Sequence, residues 1–335
     1  MVSHPDRDEL RALLDRPNIH DITAAADEAR RERHDRTTTV SVVEPFDPRQ
    51  AYTRCPLTGI GAGEGGFARA LDDIHDIVTD LLVLVPEGAS ADEVRSIWRL
   101  LPLPPADGGD EMLPTVQLGT TDTWIEAGID HDLAAWMEQG MRVVSDGIDP
   151  RNHPARGIDP AARWTSFWHT AANAGLRGHA TVLFGPDHDL DSVFAQIDAI
   201  NAVQADTGVF LSVSPCVIGS GPAGDDDDAL THASFDLRVL AACRLGLPGV
   251  DHLSLRYERS DLKTAHTSLL CGVDDLIGHL FLGARDRKAD TEAKDLSLRE
   301  MRAWLEEADF TARVRNGVFE TEDFAALLNA PEEPA

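Results

Sequence analysis

Cysteine is scarce in this sequence, and its spacing leaves out the common cysteine motifs. The 335 residues contain four cysteines, none of them in a CxxC pair, at Cys55, Cys216, Cys243 and Cys271. The spacing therefore excludes a zinc knuckle and a thioredoxin-like redox motif. We expect these scattered thiols to be reduced, as is usual in the cytoplasm.

Long hydrophobic runs are also missing. The longest apolar runs, such as LLVLV at residues 81–85, are far too short for a membrane helix. The first ten residues, MVSHPDRDEL, lack the basic and apolar regions of a signal peptide. We therefore expect a cytoplasmic protein that does not associate with membranes.

Basic charge is in short supply, and lysine above all. Three lysines occur in the chain, and 58 acidic residues against 30 basic ones give a net charge of −28. Such a surface repels nucleic acid phosphates and anionic membranes, so neither is expected as a partner. An acidic protein of this kind holds water and cations in concentrated salt, where charge repulsion is screened. The composition favours a halophilic archaeon as the source, with a GC-rich actinobacterium as the alternative.

The sequence does contain a regular alternation of strand and helix patterns. Strands are predicted at 37–43, 81–86, 115–119, 141–145, 180–185, 209–214, 252–257 and 268–272. Helices are predicted at 8–14, 21–33, 67–79, 91–100, 133–140, 160–174, 190–207, 234–245, 275–282 and 297–308. Parallel strands need crossover helices, and eight of them favour a closed (β/α) barrel over an open sheet. The fold class is therefore α/β.

A single domain is predicted, because no Pro/Gly/Ser-rich linker divides the chain. Its predicted parts are N-terminal helices at 1–35, a (β/α) barrel at 36–296, a C-terminal helical extension at 297–330 and a frayed tail at 331–335. Chemistry in such barrels lies at the carboxyl ends of the strands. The acid–base candidates predicted for that mouth are His188, Asp146 and Asp275. Asp275 has a simpler alternative role as the N-cap of the predicted helix that follows it.

A glycine-rich stretch, AYTRCPLTGIGAGEGG at residues 51–66, follows the first predicted strand. Gly61, Gly63 and Gly66 fit the GxGxxG pattern of dinucleotide-binding loops, and Glu87 lies where a ribose-binding acid would be. A dinucleotide-binding loop must follow its strand directly. In this chain a segment of fifteen residues that includes prolines, EPFDPRQAYTRCPLT, lies between the predicted strand and the glycines. The pattern is equally typical of a flexible glycine loop without any ligand.

Five segments, in the same order as in a known family, carry a resemblance over the second half of the chain. The sequence resembles the radical S-adenosylmethionine (SAM) enzymes that make menaquinone and deazaflavin precursors: aminofutalosine synthase, dehypoxanthine futalosine cyclase and the larger FO synthase component. The segments are AANAGLRGHATVLFG (171–185), QADTGVF (204–210), LRVLAACRLGL (237–247), LLCGVDDLIGHL (269–280) and ADFTARVRNGVF (308–319). The resemblance implies a barrel of the radical SAM type.

The family's cluster loop is degenerate in this chain. Its Cx3CxxC motif aligns with YTRCPLTGIGA, so that Cys55 takes the first cysteine position, Gly59 the second and Ala62 the third. Three thiolates hold a [4Fe–4S] cluster whose fourth iron binds SAM, and glycine and alanine have no ligand atom. The family's GG pair after the second strand, which receives the methionine part of SAM, is replaced by Pro86 and Glu87. We therefore expect no cofactor and no resident metal.

Three functions are compatible with this pattern, and the sequence leaves the presence of catalysis open. A pseudoenzyme would bind an intact radical SAM paralogue or a small nucleoside-like or aromatic ligand. An enzyme with new, non-radical acid–base chemistry would use the mouth residues. A true radical SAM enzyme would need a cluster site rebuilt with cysteines such as Cys216 and Cys271. The ligand-pocket candidates, which match positions retained from the family, are Thr181, Gln204, Thr207, Arg244 and Arg315.

Overall fold

The structure is a computed structural model in which two sets of chain segments form separate units. It describes residues 5–16, 18–46, 79–83, 89–98, 115–118, 124–125, 128, 130–145, 160–185, 190–217, 233–256, 262–278, 280–281 and 296–324. Unit 1 comprises Met1–Arg36 and Ser145–Leu276, and unit 2 comprises Thr37–Val144 and Ile277–Ala335. The predicted domain boundaries at 35/36, 296/297 and 330/331 stay predictions.

The described residues alternate between strands and helices along most of the chain. The strands are β1 (Thr37–Phe46), β2 (Asp80–Val83), β3 (Thr115–Leu118), β4 (Val143–Ser145), β5 (Arg177–Phe184), β6 (Phe210–Val217), β7 (His252–Arg256), β8 (Asp275–Gly278), β9 (Leu280–Phe281), β10 (Leu296–Ser297), β11 (Thr311–Arg315) and β12 (Thr321–Asp323). The helices are α1 (Arg7–Leu14), α2 (Ile19–His34), α3 (Ala91–Trp98), α4 (Leu133–Glu138), α5 (Pro160–Asn173), α6 (Leu190–Thr207), α7 (Ala233–Gly246), α8 (Leu262–Leu269) and α9 (Leu298–Glu307).

Unit 1 begins with two capped helices. The Asp6 carboxylate accepts a hydrogen bond from the Glu9 amide at 2.9 Å, and Glu9 accepts one from the Asp6 amide, which forms a capping box at the start of α1. Asn18 caps α2 by accepting a hydrogen bond from the amide of His20. Helix α2 then packs against α7, which anchors the N-terminal segment on the α/β part of unit 1.

The α/β part of unit 1 is a parallel sheet covered by helices. Strands β5 and β6 pair in parallel from Gly178 opposite Phe210 to Phe184 opposite Val217. Strand β7 pairs with β6 in parallel, and β8 follows β7 in the sheet. Each connection passes through a helix, as parallel pairing requires. The helix layer is fixed by aromatic contacts, such as Phe184 of β5 with Phe235 of α7 at 6.1 Å between ring centroids.

Unit 2 is built around β1, which pairs with β11 and with β2 along its length. The first half of β1 pairs in parallel with β11, and the second half pairs in parallel with β2. Strand β3 extends this sheet beyond β2 in parallel, and β12 pairs with β11 in the antiparallel sense. A tryptophan cluster forms part of its core, where Trp136 makes edge contacts with Trp98 and Trp124 at 5.6 and 5.3 Å.

Two predicted elements are wrong. The strand predicted at 268–272 is the end of α8 and a turn in which Gly272 has a φ of 100°. The helix predicted at 275–282 is replaced by strands β8 and β9, so Asp275 is not a helix N-cap. The other seven predicted strands each overlap an observed strand. The helix predicted at 67–79 lies outside the described residues except for Thr79.

Among the helices that the structure describes, none combines the length and the apolar character needed to cross a bilayer.

Candidate functional site

One face of the unit 1 sheet is lined with polar side chains. Phe184 faces the helices, so side chains of the opposite parity on β5, such as His179 and Thr181, project from the other face. The pairing register places Ser212 beside His179 and Ser214 beside Thr181. We call this surface the polar face, and it consists of His179, Thr181, Ser212, Ser214, Ser254 and Asp275.

Hydrogen bonds connect members of the polar face across the strands. His179 Nδ1 lies 2.7 Å from Ser212 Oγ. The Ser254 hydroxyl donates to a carboxylate oxygen of Asp275 at 2.5 Å. Thr181, Ser212, Ser254 and Asp275 are all buried. These buried hydroxyl and carboxylate groups, together with the partly exposed His179 imidazole, provide donors and acceptors for a polar ligand, while apolar strand residues on the opposite face supply the core.

A second polar cluster lies where β7 and β8 begin. We call it the Asp274 cluster, and it consists of His34, Arg244, His252 and Asp274. Arg244 of α7 pairs with Asp274 Oδ1 and donates to the backbone oxygens of Gly272 at 2.8 Å and Asp251 at 2.9 Å. Burial is the largest single influence and would raise the pKa of Asp274, but the Arg244 guanidinium together with His252 and His34 outweighs burial and holds that pKa well below its usual range.

Two histidines contact the other oxygen of the same carboxylate. His252 Nδ1 lies 2.6 Å from Asp274 Oδ2, and His34 Nε2 lies 3.5 Å from it. The two rings are stacked with centroids 4.7 Å apart. Burial lowers the pKa of His34, against the opposing effect of Asp274. The His34 ring is therefore favoured in its neutral form.

Two of the predicted pocket residues hold the chain between α6 and β6. The Gln204 amide group accepts from Phe210 N at 2.8 Å and donates to the oxygens of Phe210 and Gly249. Thr207 donates to Val203 O at 2.6 Å and accepts from Val209 N, ahead of β6. These contacts give both side chains a structural role at the end of α6.

The other three predicted pocket residues do not all belong to the same unit. Thr181 belongs to the polar face, while Arg244 belongs to the Asp274 cluster. Arg315 lies in unit 2, where it pairs with buried Asp80 at 3.3 Å and stacks over Phe319 at 4.1 Å from the ring centroid. Ser41 donates to the same Asp80 carboxylate at 3.0 Å. Within unit 1, the described contacts therefore place Thr181 and Arg244 in different polar clusters.

The predicted mouth candidates are only partly described. His188 and Asp146 lie outside the described residues, as do Cys55, Gly59 and Ala62 of the degenerate loop. Asp275 starts β8 and is fully buried. It therefore lies at the amino end of its strand, opposite to the end where the mouth residues were predicted. The reason is the wrong local assignment: a strand occupies the place of the predicted helix.

The described cysteines do not offer a replacement set of thiolate ligands for a cluster. Cys216, Cys243 and Cys271 are buried. Burial raises the pKa of the Cys243 and Cys271 thiols to about 12, which favours the protonated form. Cys271 also precedes β8 rather than ending a strand. Among the described residues, none of these thiols belongs to a group of three candidate metal ligands.

Sequence reasoning missed several polar residues that the structure brings together. His179, Ser212 and Ser254 of the polar face were not among the candidates, nor were His34 and His252 of the Asp274 cluster. The alternation of polar and apolar residues in FLSVSPCV (210–217) and HLSLR (252–256) was an available signal, because it predicts strands with one polar face. No local pattern could have indicated that His34 meets His252.

Known proteins match this chain over about half of its length. No protein-family profile matches it. It is 29% identical over 161 residues to aminodeoxyfutalosine synthase of Thermus thermophilus, a match covering 46% of this chain and 41% of that enzyme. It is 27% identical over 161 residues to 5-amino-6-(D-ribitylamino)uracil–L-tyrosine 4-hydroxyphenyl transferase of Methanoculleus marisnigri, covering 47% and 44% respectively. These matches span less than half the length of either relative.

Solved structures match almost the whole chain. HydG, a maturase of the [FeFe]-hydrogenase, superposes with a TM-score of 0.61 at 13% identity and covers 91% of this chain and 71% of its own. Methylornithine synthase (PylB) superposes with a TM-score of 0.57 at 13% identity, covering 90% and 92%. The predicted α/β fold, a (β/α) barrel of the radical SAM type, is thereby confirmed. The sequence matches support a relation to the radical SAM proteins of the menaquinone and deazaflavin branches.

Proposed function

We propose that this chain is a radical SAM-type barrel protein that works without a [4Fe–4S] cluster and binds a small nucleoside-like or aromatic molecule. The observation that carries the proposal is the degenerate loop, in which Cys55 is accompanied by Gly59 and Ala62. One thiolate cannot hold three irons. The described cysteines support the proposal, because none of Cys216, Cys243 and Cys271 belongs to a group of three candidate metal ligands in the part of the chain that the structure describes.

The polar face supports a binding role for the remaining scaffold. Its Thr181, Ser212 and Ser254 hydroxyls and its Asp275 carboxylate are buried in the α/β part of unit 1, where a core alone would favour apolar side chains. The names of the two relatives suggest the ligand class: a futalosine-type nucleoside, a ribityl-substituted uracil or tyrosine. Each of these combines an aromatic ring with several hydrogen-bonding groups, which suits a surface that has both donors and acceptors.

A SAM cleavage assay tests the missing chemistry. Anaerobically prepared protein would be incubated with iron, sulfide, SAM and dithionite, and 5′-deoxyadenosine would be measured by chromatography. We expect no 5′-deoxyadenosine above the level of a Cys55→Ala control. Formation of this product by the wild type alone would contradict the proposal.

Calorimetric titration tests the binding role. The probes are aminodeoxyfutalosine, 5-amino-6-(D-ribitylamino)uracil and L-tyrosine. We expect one of them to bind, and Thr181→Val and Ser254→Ala to weaken it about tenfold each, because each removes a hydrogen-bonding group worth about 1–2 kcal/mol. The matched control is Thr170→Val on the exposed side of α5, which should bind like the wild type. Absence of binding to all three probes would count against this ligand class.

A further inference from the structure

We propose that His34, His252 and Asp274 form a binding site for one divalent transition-metal ion, such as Zn²⁺, at the end of unit 1 where β7 and β8 begin. This inference goes beyond the proposed function and does not depend on it. It rests on residues from three separate elements, whereas the cluster loop lies elsewhere in the sequence. Two imidazoles and one carboxylate are a donor set that suits zinc.

The geometry brings one ligand atom from each residue close together. The three candidate ligand atoms all lie within 4.8 Å of one another. His34 is the last residue of α2, His252 is the first residue of β7, and Asp274 immediately precedes β8. These residues are far apart in the sequence, so their convergence comes from the packing of unit 1 and not from local chain geometry.

The carboxylate is oriented by contacts on its other oxygen. Arg244 and the amide of Leu253 both donate to Asp274 Oδ1, the latter at 2.9 Å. This leaves Oδ2 directed at the two histidines. Hydrogen bonds that fix a ligand from behind are the usual second shell of a metal site, and they hold the donor in place before the ion binds.

Both histidine side chains are accessible to an ion from solution. Their side chains are 17% and 18% exposed, against 1% for Asp274, so water can reach the site and occupy a fourth tetrahedral position. Coordination through His252 Nδ1, beside Asp274 Oδ2, would require the tautomer of this ring that carries its proton on Nε2.

Positive charge close to the site sets a limit on its affinity. Arg244 lies against Asp274, and Arg33 donates to the nearby backbone oxygens of Val250 and Pro248. A divalent ion would therefore raise the local positive charge, which the single Asp274 carboxylate does not cancel. We expect a soft, imidazole-preferring ion such as Zn²⁺ or Co²⁺ to bind, and Mg²⁺, which prefers oxygen ligands, to fail.

Metal titration of the full chain tests the site. Metal-free protein would be equilibrated with Zn²⁺ or Co²⁺, dialysed and analysed for bound metal by mass spectrometry. We expect about one ion per chain in the wild type, and binding at least about tenfold weaker in His34→Gln and His252→Gln. The matched control is His169→Gln, which removes a half-exposed histidine 3.9 Å from Asp206 in the same unit and should bind like the wild type.

The outcomes separate a metal site from a hydrogen-bonded cluster that binds no ion. A wild type that binds no ion, or the same stoichiometry and affinity in all variants, would overturn the proposal. Circular dichroism checks that the variants are folded. If they are not, the Co²⁺ spectrum of the wild type decides, because intense absorption of a tetrahedral ion supports the site and the weak spectrum of hydrated Co²⁺ overturns it. Sulfide is absent throughout, so a positive result here leaves the missing [4Fe–4S] cluster untouched.

Discussion

At the residue scale, unit 1 contains a buried ion pair between Arg244 and Asp274. Both side chains are almost fully inaccessible to solvent. Removing the guanidinium would leave a buried carboxylate without its counter-charge. The free-energy cost of that unpaired charge exceeds the free energy that the intact pair gains relative to the hydrated ions. The pair is thus a structural requirement, and it also fixes the carboxylate of the candidate metal site.

The variant Arg244→Met measures this cost. We expect the free energy of unfolding to fall by about 3–5 kcal/mol, because an unpaired charge remains buried. The matched control is Arg11→Met, which breaks an exposed pair with Asp191 and should leave the free energy of unfolding nearly unchanged. Urea unfolding of both variants provides the measurement. Equal losses in the two variants would show that the Arg244 pair has no special weight.

Because the Cys243 thiol is buried, we expect the free energy of unfolding to fall at alkaline pH. Burial raises the pKa of this thiol to about 12, well above its ordinary value. Above pH 9 the unfolded chain releases this proton while the folded chain keeps it, so stability is complete below pH 9 and falls as pH rises towards 12. The expected slope is about 1.4 kcal/mol per pH unit. Urea unfolding at pH 8 to 10 should show a shallower slope in Cys243→Ala but an unchanged one in Val239→Ala, a buried change in the same helix.

At the element scale, the turn between α8 and β8 depends on one glycine. Gly272 has a φ of +100°, and an added Cβ would lie 2.7 Å from the Cβ of Arg244. We expect Gly272→Ala to cost at least about 2 kcal/mol more than Gly208→Ala, since only the first substitution adds overpacking to backbone strain. Gly208 also has a positive φ, of +63°, but nothing lies within 4 Å of its added Cβ. Thermal unfolding of both variants would reveal the difference, and equal midpoints would refute it.

The same region shows where sequence reasoning succeeds and fails. Strands β5 to β7 and helix α6 were predicted because their apolar periodicity extends over enough residues to distinguish strand from helix. The stretch around Asp274 and Asp275 was misassigned because an acid followed by apolar residues also resembles a helix start. In the structure, residues 275–278 are all buried, as is typical of a short parallel strand covered on both faces. Only tertiary packing decides between these alternatives.

The two candidate sites also differ in how far they can be predicted from the sequence. The polar face could be predicted in principle from alternating residues in two strands. The Asp274 cluster could not, because His34 comes from a helix that precedes the whole barrel sequence, and its approach to His252 requires the packing of α2 on α7. Pocket candidates taken from a resemblance, such as Gln204, are engaged in chain-fixing hydrogen bonds, so matching positions can be retained for structural reasons.

At the scale of the whole molecule, the net charge of −28 predicts a strong dependence of stability on salt. Repulsion among acidic side chains opposes folding and is screened as ionic strength rises. We expect the thermal unfolding midpoint to rise steadily between about 0.1 M and about 2 M KCl, where the Debye length falls from ~10 Å to under ~3 Å. A midpoint that stays constant or falls over this range would contradict the halophilic interpretation.

We infer that this radical SAM-type barrel lacks the ligands for a [4Fe–4S] cluster. Measurement of the cluster content tests that inference. The protein would be reconstituted anaerobically with iron and sulfide, beside a Gly59→Cys/Ala62→Cys double variant that completes Cx3CxxC with Cys55, and both would be analysed for iron, acid-labile sulfide and charge-transfer absorption. We expect at most about one iron and no sulfide in the wild type, against about four of each in the double variant. About four irons and four sulfides in the wild type would contradict it.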